Sequence, residues 1–370
     1  MAKHKGHGLA TIEYPTGMNQ NGDPSQALVK LKPDGSVDLF FGTVDIGEGA
    51  KTVMAQICAD ALGVPYESVT VSNADTDSSP LCTGTFASRG TYIGGNAVRR
   101  AAEQAREKVL EIASKLLEID QADLEVADGE VVARGAPQKK VTVGDVAGAA
   151  TWQFGELITG TGTGFKPYAV VSDEDGRVEL EPHSAISYAA CVAEVEVDDE
   201  TGEVKVERLV QVYDVGRAIN PALVEGQIHG GAMMGLGLGL LEQSYPYYPG
   251  TEHRGAEFGT YLAPSIEQLP EIQTVVLEHP SADGPFGAKA IGEMSSNSQA
   301  PAICAAIHDA IGVWITETPI TPERVLCALE QKARGEHEPR REGKRVIFDE
   351  ELSVAAVAAP DTSLTFDVPA

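Results

Sequence analysis

Residues 193–207 read Ala193-Glu194-Val195-Glu196-Val197-Asp198-Asp199-Glu200-Thr201-Gly202-Glu203-Val204-Lys205-Val206-Glu207. Apolar and charged residues alternate on both arms, the period of a strand with one face buried and one in water. Asp199-Glu200-Thr201-Gly202 supplies a polar, glycine-containing turn between them. The stretch predicts a β-hairpin, and its surroundings decide the class.

Downstream, Leu209 to Val215 reads as a further strand, and Val224 to Leu241 as a glycine-rich helix. Helices are expected over 299–311 and 322–329. Upstream, Ala27–Leu31 and Val37–Phe41 flank the turn signal Pro33-Asp34-Gly35-Ser36 and read as strands. Val53, Ile57 and Leu62 recur at helical spacing until Gly63-Val64-Pro65 stops them. A short strand over 69–71, a polar loop over 73–83, a long helix from Asn96 to Ile119 and short strands over 120–145 complete the first half. Strands and helices do not follow a regular β-α-β order, so the expected fold is α+β, with mixed sheets and packed helices. Gly160-Thr161-Gly162-Thr163-Gly164 reads as a flexible joint. It divides the chain into subdomains 1–160 and 161–330, followed by a charged, then small and apolar extension, 331–370.

Acidic residues outnumber basic ones 55 to 28, a formal charge of −27. That balance excludes a nucleic-acid backbone as partner, because such binding needs clustered Lys and Arg. No run is long and apolar enough to span a bilayer. The first residues carry charge with no apolar stretch behind them, so no signal peptide is read and a cytoplasmic location is expected. The five cysteines are widely spaced, without a C-x-x-C pair, which predicts neither a disulfide framework nor a zinc or iron–sulfur site. The lone histidines His183, His253, His279 and His308 lack metal-ligand spacing, with His229 in the glycine-rich stretch a weak exception.

Three segments carry residues suited to chemistry. Asp45-Ile46-Gly47-Glu48-Gly49-Ala50-Lys51-Thr52 lies between a strand and a helix, where glycines and a helix start can form an anion-binding nest. Gly84-Thr85-Phe86-Ala87-Ser88-Arg89-Gly90-Thr91, continuing through Gly94-Gly95-Asn96, is built of small residues that let backbone approach a bulky cofactor; Asn96 also suits a helix cap. Gly287-Ala288-Lys289-Ala290-Ile291-Gly292-Glu293-Met294 sets one carboxylate ahead of a helix. Partial burial there would raise its pKa and suit it to take a proton. Taken alone, each segment reads better as a turn or helix start. Asp214-Val215-Gly216-Arg217-Ala218-Ile219-Asn220-Pro221 reads as a structural strand end, and Met233 and Met234 as core.

In order, these segments resemble the molybdenum-binding subunit of the xanthine dehydrogenase and aldehyde oxidase family. Asp45–Thr52 is similar to its D-x-G-Q-G segment, 85–98 to T-x-A-S…G-N/Q-A-V, and 214–221 to D-V-G-x-x-x-N-P. Residues 226–241 resemble its glycine-rich helix, and 287–293 its G-x-K-x-x-G-E. The resemblance runs from about Gly8 to Leu329. It implies a molybdopterin cofactor, as such or as its cytosine dinucleotide, whose dithiolene holds the molybdenum without a metal ligand from this chain.

The resemblance also implies that Glu293 is the catalytic base in oxidation of a small N-heteroaromatic substrate, nicotinate- or purine-like, with water as oxygen source. Aldehyde oxidation, aromatic reduction or a non-catalytic scaffold are the alternatives. Phe86 and Ala87 are expected against the molybdenum, and Gly47, Glu48, Gly49, Thr85, Ser88, Arg89, Met234 and Gly292 along the cofactor. Glu48 and Met234 stand where relatives carry Gln; Glu48 would need a cation such as Lys51 or Arg89 beside a phosphate. The family's subunit is longer, and its first half has no counterpart here. The resemblance therefore implies a divided subunit, as in nicotinate dehydrogenase. Its partners would be a chain with the other half of the molybdopterin-binding fold, a [2Fe-2S] subunit and an FAD subunit.

Overall fold

The computed structural model describes residues 2–18, 23–165, 169–172, 178–181, 183, 185–243, 259 and 261–336. His253 and all of the expected extension after residue 336 lie outside them.

The chain opens with strand β1 (Lys3–Thr16), then β2 (Ser25–Leu31) and β3 (Val37–Phe41). Helix α1 (Ala50–Leu62), strand β4 (Val69–Ser72) and the long helix α2 (Gly95–Leu117) follow. Strands β5 (Leu124–Ala127), β6 (Glu130–Ala133) and β7 (Ala136–Thr142) lead to α3 (Val143–Ala149) and β8 (Ile158–Gly164). After β9 (Ala169–Ser172) and β10 (Val178–Glu181), β11 (Ala185–Asp198) and β12 (Val204–Asp214) form the predicted hairpin. Helix α4 (Pro221–Leu240), strand β13 (Glu271–Leu277), and helices α5 (Gln299–Ile311) and α6 (Pro322–Ala333) complete the described fold.

The hairpin has the expected physical basis. Cys191, Ala193, Val195 and Val197 on β11, and Val206 and Leu209 on β12, are buried. Asp198 closes the turn by accepting the Glu200 and Thr201 N–H groups, each at 2.9 Å. The strand orders are β4-β3-β2-β8, β5-β6-β7, β10-β9 and β1-β11-β12-β13, the first and last being mixed sheets. Among the described residues, only β3 with β4 and β12 with β13 run parallel. One core joins the β2–β3 sheet to α1 and α2, through residues such as Leu39, Phe41, Met54, Ala101 and Val109. A second joins β11 and β12 to α4 and α5, through Val195, Leu209, Leu236, Ile303 and Ile307.

Two features depart from expectation. The Gly160–Gly164 segment is no flexible joint: it is β8, paired along its length with β2. Its glycines serve close approach instead. A Cβ at Gly160, Gly162 or Gly164 would lie 2.0, 2.0 or 1.7 Å from the carbonyl oxygens of Ala101, Ala97 or Ile93, so α2 rests directly on the strand backbone. The second departure concerns residues 3–16, expected with the first subdomain. They form β1, which pairs with β11 from Lys3 opposite Asp198 to Thr16 opposite Ala185. Gly6 and Gly8 again permit close contact, with α5: a Cβ would fall 2.1 and 2.0 Å from the Ala306 and Ala302 carbonyls.

Candidate active site

The loop between β3 and α1 fills its own nest. Asp45 accepts the Gly47 N–H at 2.9 Å and the Lys51 N–H at 3.1 Å, while Glu48 accepts the Ile46 N–H at 2.7 Å. The donors expected to cradle an anion are thus engaged by carboxylates of the same loop. Burial pushes the Asp45 carboxyl up, but these N–H groups outweigh it and hold it below its usual range. Glu48 pairs with neither Lys51 nor Arg89, the cations that a neighbouring phosphate would require of it, and turns back on the loop. Gly49 abuts Leu223 of α4.

The second segment is organised by Arg89, which is fully buried. Its Nε lies 3.1 Å from Asp23 Oδ2, and Nη2 donates to the Asp23 carbonyl. Nη1 donates to the Gly84 carbonyl and to Cys82 Sγ. The guanidinium therefore ties the loop to the segment before β2 rather than presenting itself to a ligand. Ala87 and Ser88 have φ of 49° and 51°, left-handed backbone that costs roughly 1–3 kcal/mol per residue. The Ala87 carbonyl, accepting the Gly17 N–H at 2.9 Å, helps hold that conformation. Asn96 does not cap α2: a π-helical turn, Gly90–Gly94, already precedes Gly95, and Asn96 donates to the Tyr92 and Asp283 carbonyls.

This strained turn aims Ser88 at Glu293. Ser88 Oγ accepts the Glu293 N–H at 3.0 Å and donates to Glu293 Oε2 at 2.5 Å. Gly292 makes room, since a Cβ there would lie 2.7 Å from Ser88 Oγ. Tyr14, on β1, donates to the same Oε2 at 3.2 Å. Glu293 was expected to be half-buried with a raised pKa; on this chain it is exposed to the cavity. What burial it has pushes the carboxyl up, but the Ser88 and Tyr14 hydroxyls and nearby backbone N–H groups prevail and hold it below the usual Glu range.

The backbone around Glu293 is fixed from below and from the side. Glu293–Ser296 is a 3₁₀ turn before α5. Its Ser295 carbonyl accepts from the buried Tyr213 hydroxyl at 3.2 Å and from Gln299 Nε2 at 2.8 Å. Strand end and preceding loop are bridged where Lys289 N donates to the Val215 carbonyl and Arg217 N to that of Gly287, both at 2.9 Å. Lys289 Nζ lies 2.8 Å from Asp214 Oδ2. Burial raises the Asp214 carboxyl, yet Lys289 and the Gly216 and His279 N–H groups leave it below its usual range. Asn220 caps α4 through the Leu223 N–H, with Pro221 in the first turn.

These elements enclose a cavity of about 610 Å³, within the roughly 300–1,000 Å³ of small-molecule and cofactor clefts. Glu48, Thr85, Phe86, Ser88, Arg89, Met234, Gly292 and Glu293 all line it; Gly47, Gly49 and Ala87 support the wall without lining it. Met234, read as core by pattern, is exposed on this wall. Gln227, Arg217 and Lys289 add polar side chains. Gly230 has no heavy atom within 4 Å of a Cβ position, leaving an open stretch of wall on α4. An apolar wall with a few convergent polar groups fits a large organic cofactor. Sequence reasoning missed Tyr14, Asp23, Tyr213 and Gln299, none of which lies in a segment whose composition stands out. Among the described residues no helix is long and apolar enough to cross a membrane.

Comparison with known proteins shows the family of the chain. Residues 1–270 match the molybdopterin cofactor-binding domain family. The chain is 36% identical over 332 residues to the probable hypoxanthine oxidase XdhD of Escherichia coli (strain K12), covering 89% of this chain and 32% of that protein. It is 34% identical over 305 residues to the nicotine 6-hydroxylase large subunit of Paenarthrobacter nicotinovorans, covering 82% and 36%. The crystal structure of quinoline 2-oxidoreductase from Pseudomonas putida 86 superposes with a TM-score of 0.79 at 30% identity, over 89% of this chain and 42% of that one. The chain thus spans about a third of the length of these curated relatives. It belongs to the molybdopterin cofactor-binding domain family, within the xanthine dehydrogenase and aldehyde oxidase group of molybdenum enzymes.

Proposed function

We propose that this chain supplies one wall of the active site of a molybdenum hydroxylase and that Glu293 is its base. The observation that carries the reading is the Glu293 carboxylate, held ionised at the cavity wall by the Ser88 hydroxyl 2.5 Å away. Phe86, Met234, Gln227 and Gly230 would flank the molybdopterin, as such or as its cytosine dinucleotide, with Thr85, Ala87 and Gly292 shaping the wall. When bound, the cofactor supplies the oxygen-transfer and redox chemistry. Glu293 accepts the proton lost as a water-derived oxygen attacks an electron-poor carbon. Ser88 holds the carboxylate in place for that transfer, and the Ser295 carbonyl clamp keeps its backbone from drifting.

The substrate class we infer is an N-heteroaromatic ring of nicotinate or purine type. The named compounds of the relatives support this: hypoxanthine, nicotine and quinoline are all nitrogen heteroaromatics or carry such a ring. The share of the relatives' length covered here supports a complementary chain carrying the rest of the fold; [2Fe-2S] and FAD subunits accepting electrons, in the cytoplasm, are inferred with the family reading alone.

The test is the purified, molybdenum-loaded complex, assayed with hypoxanthine and with nicotinate in ¹⁸O-labelled water with a dye acceptor. Glu293→Gln is expected to lower kcat by about 10²–10⁴ while the molybdenum content stays unchanged. Wild-type turnover in that variant would remove Glu293 from the mechanism, and product oxygen not drawn from water would overturn hydroxylation.

A further inference from the structure

We propose that Tyr14 is a positioning residue for Glu293, fixing which carboxylate oxygen is open to receive a proton. This rests on the reading of Glu293 as base. The argument begins with Ser88. Its hydroxyl accepts the Glu293 N–H, so its own single proton is directed to Oε2. The Tyr14 hydroxyl donates to that same oxygen. Two donors converging on Oε2 orient the carboxylate, and both are weakened if Oε2 itself takes the proton. Protonation is thereby steered to Oε1.

Tyr14 is placed firmly enough to do this. It lies opposite Ser187 in the β1–β11 ladder. With Ile12 it packs on the small core of Tyr213, Val215, Ile228 and Met294 beneath the Glu293 turn. A ring with one face in a core and its hydroxyl at a polar site satisfies both parts of a tyrosine. Burial raises the Tyr14 hydroxyl pKa, which keeps it a donor across the working range.

Other charged groups around the turn are otherwise engaged or more distant in role. Arg89 is held by Asp23 and Lys289 by Asp214. Glu48 is bound to the Ile46 N–H. On α4, which packs on the turn, Glu225 and His229 face one another at 3.9 Å. Arg217 is the further cation on the cavity wall. Glu13, next to Tyr14 on β1, alternates to the opposite face of the sheet.

The experiment is a carboxyl titration of the full chain, carrying ¹³C on glutamate side-chain carboxyls. The Glu293 resonance is assigned by its loss in Glu293→Gln. Tyr14→Phe keeps the ring and its packing and removes only the hydroxyl. Its Glu293 midpoint is expected to rise by about half a pH unit or more, with the other glutamates unmoved. A residue serving packing alone would not move the midpoint, so an unchanged or lower value in Tyr14→Phe overturns the proposal. The readout does not depend on turnover. If Glu293→Gln kept its activity while Tyr14→Phe shifted the midpoint, the base assignment would fall and the positioning role would stand.

Discussion

Ser88 and Glu293 hold one another reciprocally: the serine oxygen takes the glutamate N–H at 3.0 Å and returns its own proton to the carboxylate at 2.5 Å. Two segments remote in sequence thereby become one unit, with the strained Ala87–Ser88 backbone on one side and a 3₁₀ turn on the other.

Removing one partner of that unit shifts its pH response. A base works only when ionised, and the hydrogen bond from Ser88 favours the ionised form. Ser88→Ala therefore raises the Glu293 pKa, and the acid limb of the kcat/KM profile moves to higher pH. A hydrogen bond to a charged group contributes about 1.5–3 kcal/mol, so the displacement should be about one to two pH units. An acid limb that stays in place would separate Ser88 from the ionisation of Glu293.

Arg89 makes a different prediction, on stability. Its guanidinium is fully buried and its ion pair with Asp23 is nearly so. Replacing Arg89 by Met leaves a buried carboxylate unpaired, a change that costs about 3–5 kcal/mol. Urea unfolding should report that loss, with little dependence on salt because the pair is shielded from solvent. Combining Arg89→Met with Asp23→Asn should cost less than the sum of the single changes.

Gly162 and Gly226 form a contrasting pair. Alanine at Gly162 would bring its Cβ to 2.0 Å from the Ala97 carbonyl, so α2 must lift from β8. A loss of about 1–3 kcal/mol is expected. Gly226 lies in α4 with nothing within 4 Å of a Cβ, so alanine there should stabilise by about 0.5–1 kcal/mol. Thermal melts of the two variants should move in opposite directions.

Asp214 and Lys289 give a pH-dependent term. The folded Asp214 carboxyl sits below its usual value. Its contribution to stability is therefore present above the unfolded carboxylate range, near ~3.9, and is lost as pH falls through the folded value. Lys289→Met should lower stability by about 1–3 kcal/mol at neutral pH. The gap to the wild type should close at acid pH, where Asp214 is protonated in both. A gap constant across pH would point to packing of the lysine stem instead.

Much of this was legible before any coordinates. The hairpin at 193–207 and helices α1 and α2 followed from periodicity; the hairpin and α2 each bury one regular face, while α1 is buried on most sides. The segments around Glu48, Ser88 and Glu293 were readable as an ordered set, and the cavity brings them together. What escaped were relationships that composition does not encode. Glycine permits both flexibility and close packing, and at Gly160–Gly164 the second use prevails because α2 lies across the strand. Tyr14 sits in an ordinary alternating stretch, and its role depends on which distant strand β1 joins. The Glu293 pKa was read in the wrong direction because burial was visible in outline while two hydroxyl donors were not.

The pairing of β1 with β11 has a consequence for how the chain assembles. The region from β2 to β8 is, in topological terms, an insertion between two neighbouring strands of another sheet. During synthesis β1 is made before β11, so its partner follows only after that whole inserted region has been made. Until then β1 is an unpaired edge whose backbone groups are open to a foreign strand. Its sequence answers this hazard: Lys3, His4, Lys5 and His7 crowd one end, and Gly6 and Gly8 weaken any premature pairing. Tyr14, the residue of β1 that meets Glu293, is thus made well before the strand that holds it in place.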